Sequence, residues 1–285
     1  LLHEDLRKPM QLLLVQDLRS RELNLSCQTL KALPRMIGHY HHATIFNASN
    51  NYIAFFPAEI AQLKALEVLN LLNNELSQLP EEIGQLSALE SLYLSNNRFT
   101  QLPTGICQLN ALRTLELSDN RLMHLPKEIT QLSALQALYL RDNRLIQLPP
   151  IIARLSGLVW LTLSGNRLTD LPAEIGQLSK LCWLDLSGNL LVYLPAEINQ
   201  LHRLNRLDLA KNQLEQLPPE IGQLATLQTL YLFDNPILEG LNTTTAVQGY
   251  VDGSDHIRNI FRNTTNILFT PDQIDLGVQI FGTRE

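Results

Sequence analysis

Two aspartates, Asp185 and Asp208, stand 23 residues apart in matching contexts, C-W-L-D-L and N-R-L-D-L. Carboxylates held close together resist simultaneous ionisation, a property used in acid–base catalysis and in cation sites. Neither use is completed here. No histidine or third acid joins them, and Arg206, diagonal to Asp185, is placed to offset the charge. The histidines gather at His39, His41 and His42, where surface exposure is the simplest account. Cys27, Cys107 and Cys182 are scattered, with no C-x-x-C pair, which fits reduced thiols rather than zinc ligands or a disulfide framework. A phosphate-cradling glycine loop and a G-x-S-x-G elbow are both missing. The sequence therefore predicts no enzyme, no metal and no cofactor.

A different chemistry is better represented, that of macromolecular recognition. Trp160 and Trp183, the two tryptophans of the chain, are again 23 residues apart. Tyr93, Glu116, Tyr139, Thr162, Asp185, Asp208 and Tyr231 form one column at that interval, which begins with Asn24, Asn47 and Asn70. Arg206 shares the tryptophan column, and Arg141, Asp142, Phe233 and Asp234 fall in the columns that follow. Large aromatics and arginine dominate interface energetics and are costly to leave bare. The sequence reading is that Tyr139, Trp160 and Trp183 anchor a partner while Arg141, Asp185, Arg206 and Asp208 set its register. The competing account is that the aromatics stack across strands to stabilise a sheet. A second stripe, Arg98, Arg121, Arg144 and Arg167, could meet an acidic partner or anionic headgroups, but the favoured reading is that Asp119 and Asp142 pair with it and leave no net field.

These residues need a scaffold that repeats every 23 residues, and the rest of the sequence supplies one. Proline occurs at 34, 57, 80, 103, 126, 149, 172, 195 and 218, each followed three residues later by isoleucine. Asparagine keeps register from Asn51 to Asn235, and Gln28 alone departs from that column. One unit, Leu79 to Gln101, reads L-P-E-E-I-G-Q-L-S-A-L-E-S-L-Y-L-S-N-N-R-F-T-Q. Leu89, Leu92 and Leu94 alternate as a short strand does, whereas Pro80 to Leu86 suits a short helix or 3₁₀ turn. A single coil cannot bury its own apolar face, so the coils must stack. A buried turn leaves orphan backbone groups, and the amide of each column asparagine can both donate to and accept from adjacent coils. The uniform Glu and Gln rows, from Glu59 and Gln62 onward, read as solvated scaffold on the other face.

The pattern L-x-x-L-x-L-x-x-N-x-L resembles the leucine-rich repeat, and its 23-residue L-P-x-x-I-x-x-L form resembles the Ras-suppressor-like and intracellular bacterial effector subfamilies. That resemblance covers about three quarters of the chain. It implies an α/β solenoid with a curved parallel sheet on the concave side, short helices or 3₁₀ turns on the convex side, and helical caps. Residues 1–19 are expected to form an N-terminal capping helix that Pro9 interrupts, and 20–241 about ten coils. Residues 242–285 are expected to be a C-terminal cap or the start of an incomplete segment, with helical patterns at Asp255 to Arg262 and from Thr270. The implied function is a protein–protein interaction module, such as a bacterial effector acting on a host protein. The alternatives are an endogenous signalling scaffold, the recognition arm of a larger enzyme or, less favoured, a ligand, glycan or lipid binder. Some such effectors carry a ubiquitin-ligase domain, an activity not expected here because the last 44 residues hold no cysteine.

The formal charge of −6 argues against nucleic acid as a partner, since phosphate neutralisation requires surplus Lys and Arg. No apolar run reaches the ~18 residues of a membrane span. The expectation is a monomer that binds a protein, in the cytoplasm or, for an effector, in the host cytosol.

Overall fold

The computed structural model describes residues 3–14, 17–238 and 250–252. Each repeat forms one coil with a three-residue strand at the same place. The strands are β1 (Glu22–Asn24), β2 (Ile45–Asn47), β3 (Val68–Asn70), β4 (Ser91–Tyr93), β5 (Thr114–Glu116), β6 (Ala137–Tyr139), β7 (Trp160–Thr162), β8 (Trp183–Asp185), β9 (Arg206–Asp208) and β10 (Thr229–Tyr231). They pair in chain order, all parallel, and residues at the same repeat position face one another. Because a strand alternates its side chains, the middle residue of each, leucine except for Phe46 in β2, is buried while its neighbours face the open side of the sheet. A further strand, β11 (Tyr250–Asp252), lies antiparallel to β10. Asp255 to Arg262 and the segment from Thr270 lie outside the described residues.

The proline of each repeat caps a five-residue 3₁₀ turn, as Pro80 does before Glu81–Gln85. The sequence left helix and 3₁₀ turn open, and the geometry is uniformly 3₁₀. A rise of about 2.0 Å per residue spans the back of a coil with fewer residues than an α-helix needs. Ile83 and its equivalents are fully buried there, and one continuous core runs from Leu13 to Leu232.

Helix α1 (His3–Leu14) continues through Pro9 rather than stopping at it. Pro9 is buried, and one turn later so is Leu13, whose carbonyl accepts a hydrogen bond from the Tyr40 hydroxyl. The same face that closes on the first coil thus offsets the backbone bond that the proline removes.

Two columns govern the tight turn after each strand. The asparagines are buried, and each acts across a coil boundary. The Asn120 amide donates to Leu94 O at 3.0 Å and Leu117 O at 3.0 Å, while its Oδ1 accepts from the Phe99 N–H at 3.0 Å. The preceding column is left-handed throughout, with φ between 49 and 66° from Cys27 to Asp234. That requirement explains why Asn, Asp and Gly recur at this position. Lys211, at φ 55°, is an exception with no side-chain reason to prefer it. Lys211→Gly is expected to raise stability by about 1 kcal/mol, read as a higher thermal midpoint; an unchanged or lower midpoint would contradict the strain account.

Candidate functional site

On the open face of the sheet the outward residues form two rows. The first runs Ala137, Trp160, Trp183, Arg206, Thr229, and the second Tyr139, Thr162, Asp185, Asp208, Tyr231, each residue directly opposite the next. The parallel register, itself set by the invariant repeat length, brings the two indoles side by side. Trp160 is 40% exposed, with the small, buried Ala137 beside it, and Trp183 is half-buried.

The indoles do not stack on each other. The Arg206 guanidinium carbon lies 4.7 Å from the Trp183 ring centre and 5.0 Å from that of Tyr231, bridging the two rows. This corrects the expectation that Arg206 is placed to neutralise Asp185: its planar cation stacks on aromatic faces and forms no ion pair with either aspartate among the described residues. Trp183 Nε1 and Arg206 Nε are buried without a hydrogen-bond partner, so the stack is held at some polar cost.

A groove of 620 Å³ opens along the N-terminal ends of these strands. Trp160, Trp183 and Arg206 line it together with Cys182, Asn205, Gln228, Arg203 and Thr226. The sequence reading missed the last five. Their signal is present: Cys182, Asn205 and Gln228 stand in the column just before the strand, where the residue type varies freely.

The aspartates sit deeper. Asp185 Oδ1 accepts from the Ser187 backbone N–H at 3.0 Å and its hydroxyl at 2.7 Å, and Asp208 Oδ1 from the Ala210 N–H at 3.1 Å. Burial, and then the negative charge of Asp185, push the Asp208 carboxyl up to about 6, against the opposing pull of the Ala210 N–H and Arg206. The same turn bond is made by amides earlier in the column, from Ser26 to Asn24 and from Ser49 to Asn47. A neutral side chain therefore does the structural work, and the Asp208 carboxylate adds an electrostatic cost that the scaffold does not require.

The other expected residues spread along the face. Glu116 lies between Tyr93 and Tyr139 in register, and its Oε1 accepts from the Ser118 N–H at 2.9 Å. Burial raises the Tyr139 hydroxyl above its ordinary range, and Glu116 and Tyr93 add to the effect. Arg141 is exposed and turns to Asp142 at 2.9 Å. Phe233 is half-buried next to the last turn. On the edge stripe, Arg98 pairs with Glu75 at 2.9 Å, not with an aspartate of the turn column. Arg121, Arg144 and Arg167 are exposed and have no ion pair among the described residues. The expected neutralisation by Asp119 and Asp142 is thus not what forms, because Asp142 is taken by its neighbour Arg141. Cys107 is buried, and desolvation aided by Glu128 and Glu81 pushes its thiol up to about 11, which makes it an inert core residue. Among the described residues no three His, Cys, Asp or Glu side chains converge as metal ligands, and no helix is long and apolar enough to cross a membrane.

Three family matches fall within the coils: leucine-rich repeat region over residues 104–184, and leucine-rich repeat over 41–99 and 203–224. No curated relative matches the sequence. Among solved structures, the leucine-rich-repeat ectodomain of the plant membrane receptor kinase GASSHO1/SCHENGEN3 from Arabidopsis thaliana, in complex with CASPARIAN STRIP INTEGRITY FACTOR 2, is 35% identical. It matches with a TM-score of 0.66 over 75% of this chain and 27% of that one. A TDR receptor is 27% identical, with a TM-score of 0.62 over 75% of this chain and 43% of that one. A Leptospira interrogans leucine-rich-repeat protein is 35% identical over 73% of this chain and 71% of its own, with a TM-score of 0.41. The chain thus spans about a quarter of the length of the plant ectodomain.

Proposed function

The chain belongs to the leucine-rich-repeat family, and from that premise we propose that it binds a partner protein along the concave face of its sheet. Trp160 and Trp183 anchor the partner, and the Asp185–Asp208 pair receives one of its cationic side chains. The observation that carries this reading is the indole pair, in register on adjacent strands and opening on a groove of 620 Å³. Stacking for sheet stability does not account for it, since Trp160 is 40% exposed and the two indoles form no ring pair with each other. The carboxylate pair supports a basic partner: the column makes its turn bond with asparagine elsewhere, and a charge kept at a cost has a use outside the fold. The ectodomain solved in complex with CASPARIAN STRIP INTEGRITY FACTOR 2 supports recognition as the use of such a scaffold.

The test is affinity capture from host-cell lysates, the source that the resemblance to bacterial effectors suggests. The intact chain is compared with Trp160→Ala/Trp183→Ala after circular dichroism has shown both to be folded. A central aromatic anchor is worth ~2 kcal/mol or more, so capture of the specific partner should fall by at least ~30-fold. Equal capture by the two chains would sink the assignment.

A further inference from the structure

A second surface lies on the flank of the coils, beyond the C-terminal ends of the strands. There Arg121, Arg144 and Arg167 occupy one position on three successive coils, held by backbone bonds to Phe99 O, Leu122 O and Leu145 O of 2.8, 2.9 and 2.9 Å. None has an ion pair among the described residues. Two residues farther along each coil the side chain again points outward: Met123 and Ile146 are apolar, Thr169 interrupts the row beside Arg167, and Val192 resumes it on the following coil. On that following coil Leu190, in the arginine column, and Tyr193, next to Val192, widen the apolar surface, and all five apolar side chains are between 40 and 54% exposed. A cationic row beside an apolar row has no role in the core, and so much bare apolar surface in one place marks an interaction site.

We propose that this flank docks an acidic amphipathic helix of a partner protein, independently of the concave face. The backbone selects the helix. The N–H groups of Arg121, Arg144 and Arg167 are already bonded from coil to coil, so an added strand would find no ladder to join, whereas a helix arrives with its own bonds satisfied. The spacing agrees. Coils stacked ~4.8 Å apart nearly match the ~5.4 Å pitch of a helix, so acidic residues one turn apart meet successive arginines. The same helix lays its apolar stripe on Met123, Ile146 and Val192. Same-side residues of an extended chain, ~6.6 Å apart, drift out of register with the row. The chain's net charge of −6 confines attraction for an acidic partner to this local stripe.

The probe is a fluorescein-labelled helical peptide about four turns long, with Glu at i, i+4 and i+7 beside a Leu/Ile face. Fluorescence anisotropy should show salt-sensitive binding to the intact chain. Arg121→Glu/Arg144→Glu/Arg167→Glu should weaken it at least tenfold, as should Val192→Ser/Tyr193→Ser. Trp160→Ala/Trp183→Ala should leave it unchanged, which separates this surface from the concave site. All substituted side chains of the flank are exposed, and circular dichroism with the milder Arg→Gln triple guards against a folding artefact. Absence of binding, or binding that survives both substitutions at the flank, overturns the proposal. So does arginine-dependent binding to phosphatidylcholine vesicles containing about 30 mol% phosphatidylserine without any to the peptide, which would assign the flank to a membrane surface.

Discussion

Asn120→Ala is expected to cost about 1.5–3 kcal/mol, because the buried Phe99 N–H loses its acceptor, at roughly 1–3 kcal/mol for an unsatisfied group. The Leu94 and Leu117 carbonyls each keep a second amide donor, from Asn97 and Asn143. The Phe99 N–H and the Leu94 and Leu117 carbonyls all close on that one amide. Two belong to the preceding coil, so the substitution weakens a junction as well as a turn, and in a stack held by neighbour contacts the loss should also broaden the transition. Urea unfolding followed by circular dichroism measures both. Gln131→Ala, on the exposed back of the next coil, should stay within about 0.5 kcal/mol of the parent. A loss under about 1 kcal/mol for Asn120→Ala would show that the ladder is dispensable. Asn120→Asp should be at least as damaging at neutral pH, since an acceptor-only carboxylate would face two carbonyls, and should partly recover on acidification.

The second large effect has the opposite sign. Asp208→Asn should stabilise the chain by about 1–2 kcal/mol at pH 7, less than the displacement from about 3.9 to about 6 would give in full, because the carboxyl is partly exposed and solvent screens it. In the folded chain the carboxyl titrates at about 6, against an unfolded value of about 3.9. A raised carboxylate destabilises the fold wherever it is ionised. The cost is therefore fully present above the folded value and is relieved as pH falls through about 6 toward 4. The parent should gain stability between pH 7 and 5, and the variant should lack that segment of the profile. Asparagine can keep the bond from the Ala210 N–H, as Asn24 and Asn47 keep theirs. Equal pH profiles for parent and variant would remove Asp208 as the source. The binding counterpart follows by linkage: a basic partner that meets the ionised pair releases a proton, so the affinity lost in Asp208→Asn should be largest above pH 6. A site that binds better than it stabilises is the usual trade between function and stability.

The strict 23-residue period determined the coil count, the in-register strands, the buried leucine and isoleucine positions and the role of the asparagine ladder. A repeat without insertions makes every residue's neighbour the one 23 positions away, so one dimension of spacing becomes two dimensions of surface. That is why Trp160 and Trp183, Asp185 and Asp208, and the arginine row could be placed together before any coordinate was known. Period alone could not decide where long side chains point, because a rotamer answers to diagonal neighbours and local burial. Arg206 left the aspartates for the faces of Trp183 and Tyr231, Arg98 turned back to Glu75, and Arg141 took Asp142. Nor could it decide the left-handed turn column, whose Asn, Asp and Gly read as mere polar variety until the backbone gave them a common φ. The path of α1 through Pro9 likewise came from tertiary packing, since local propensity ends a helix there and only the open face of the first coil offsets that preference.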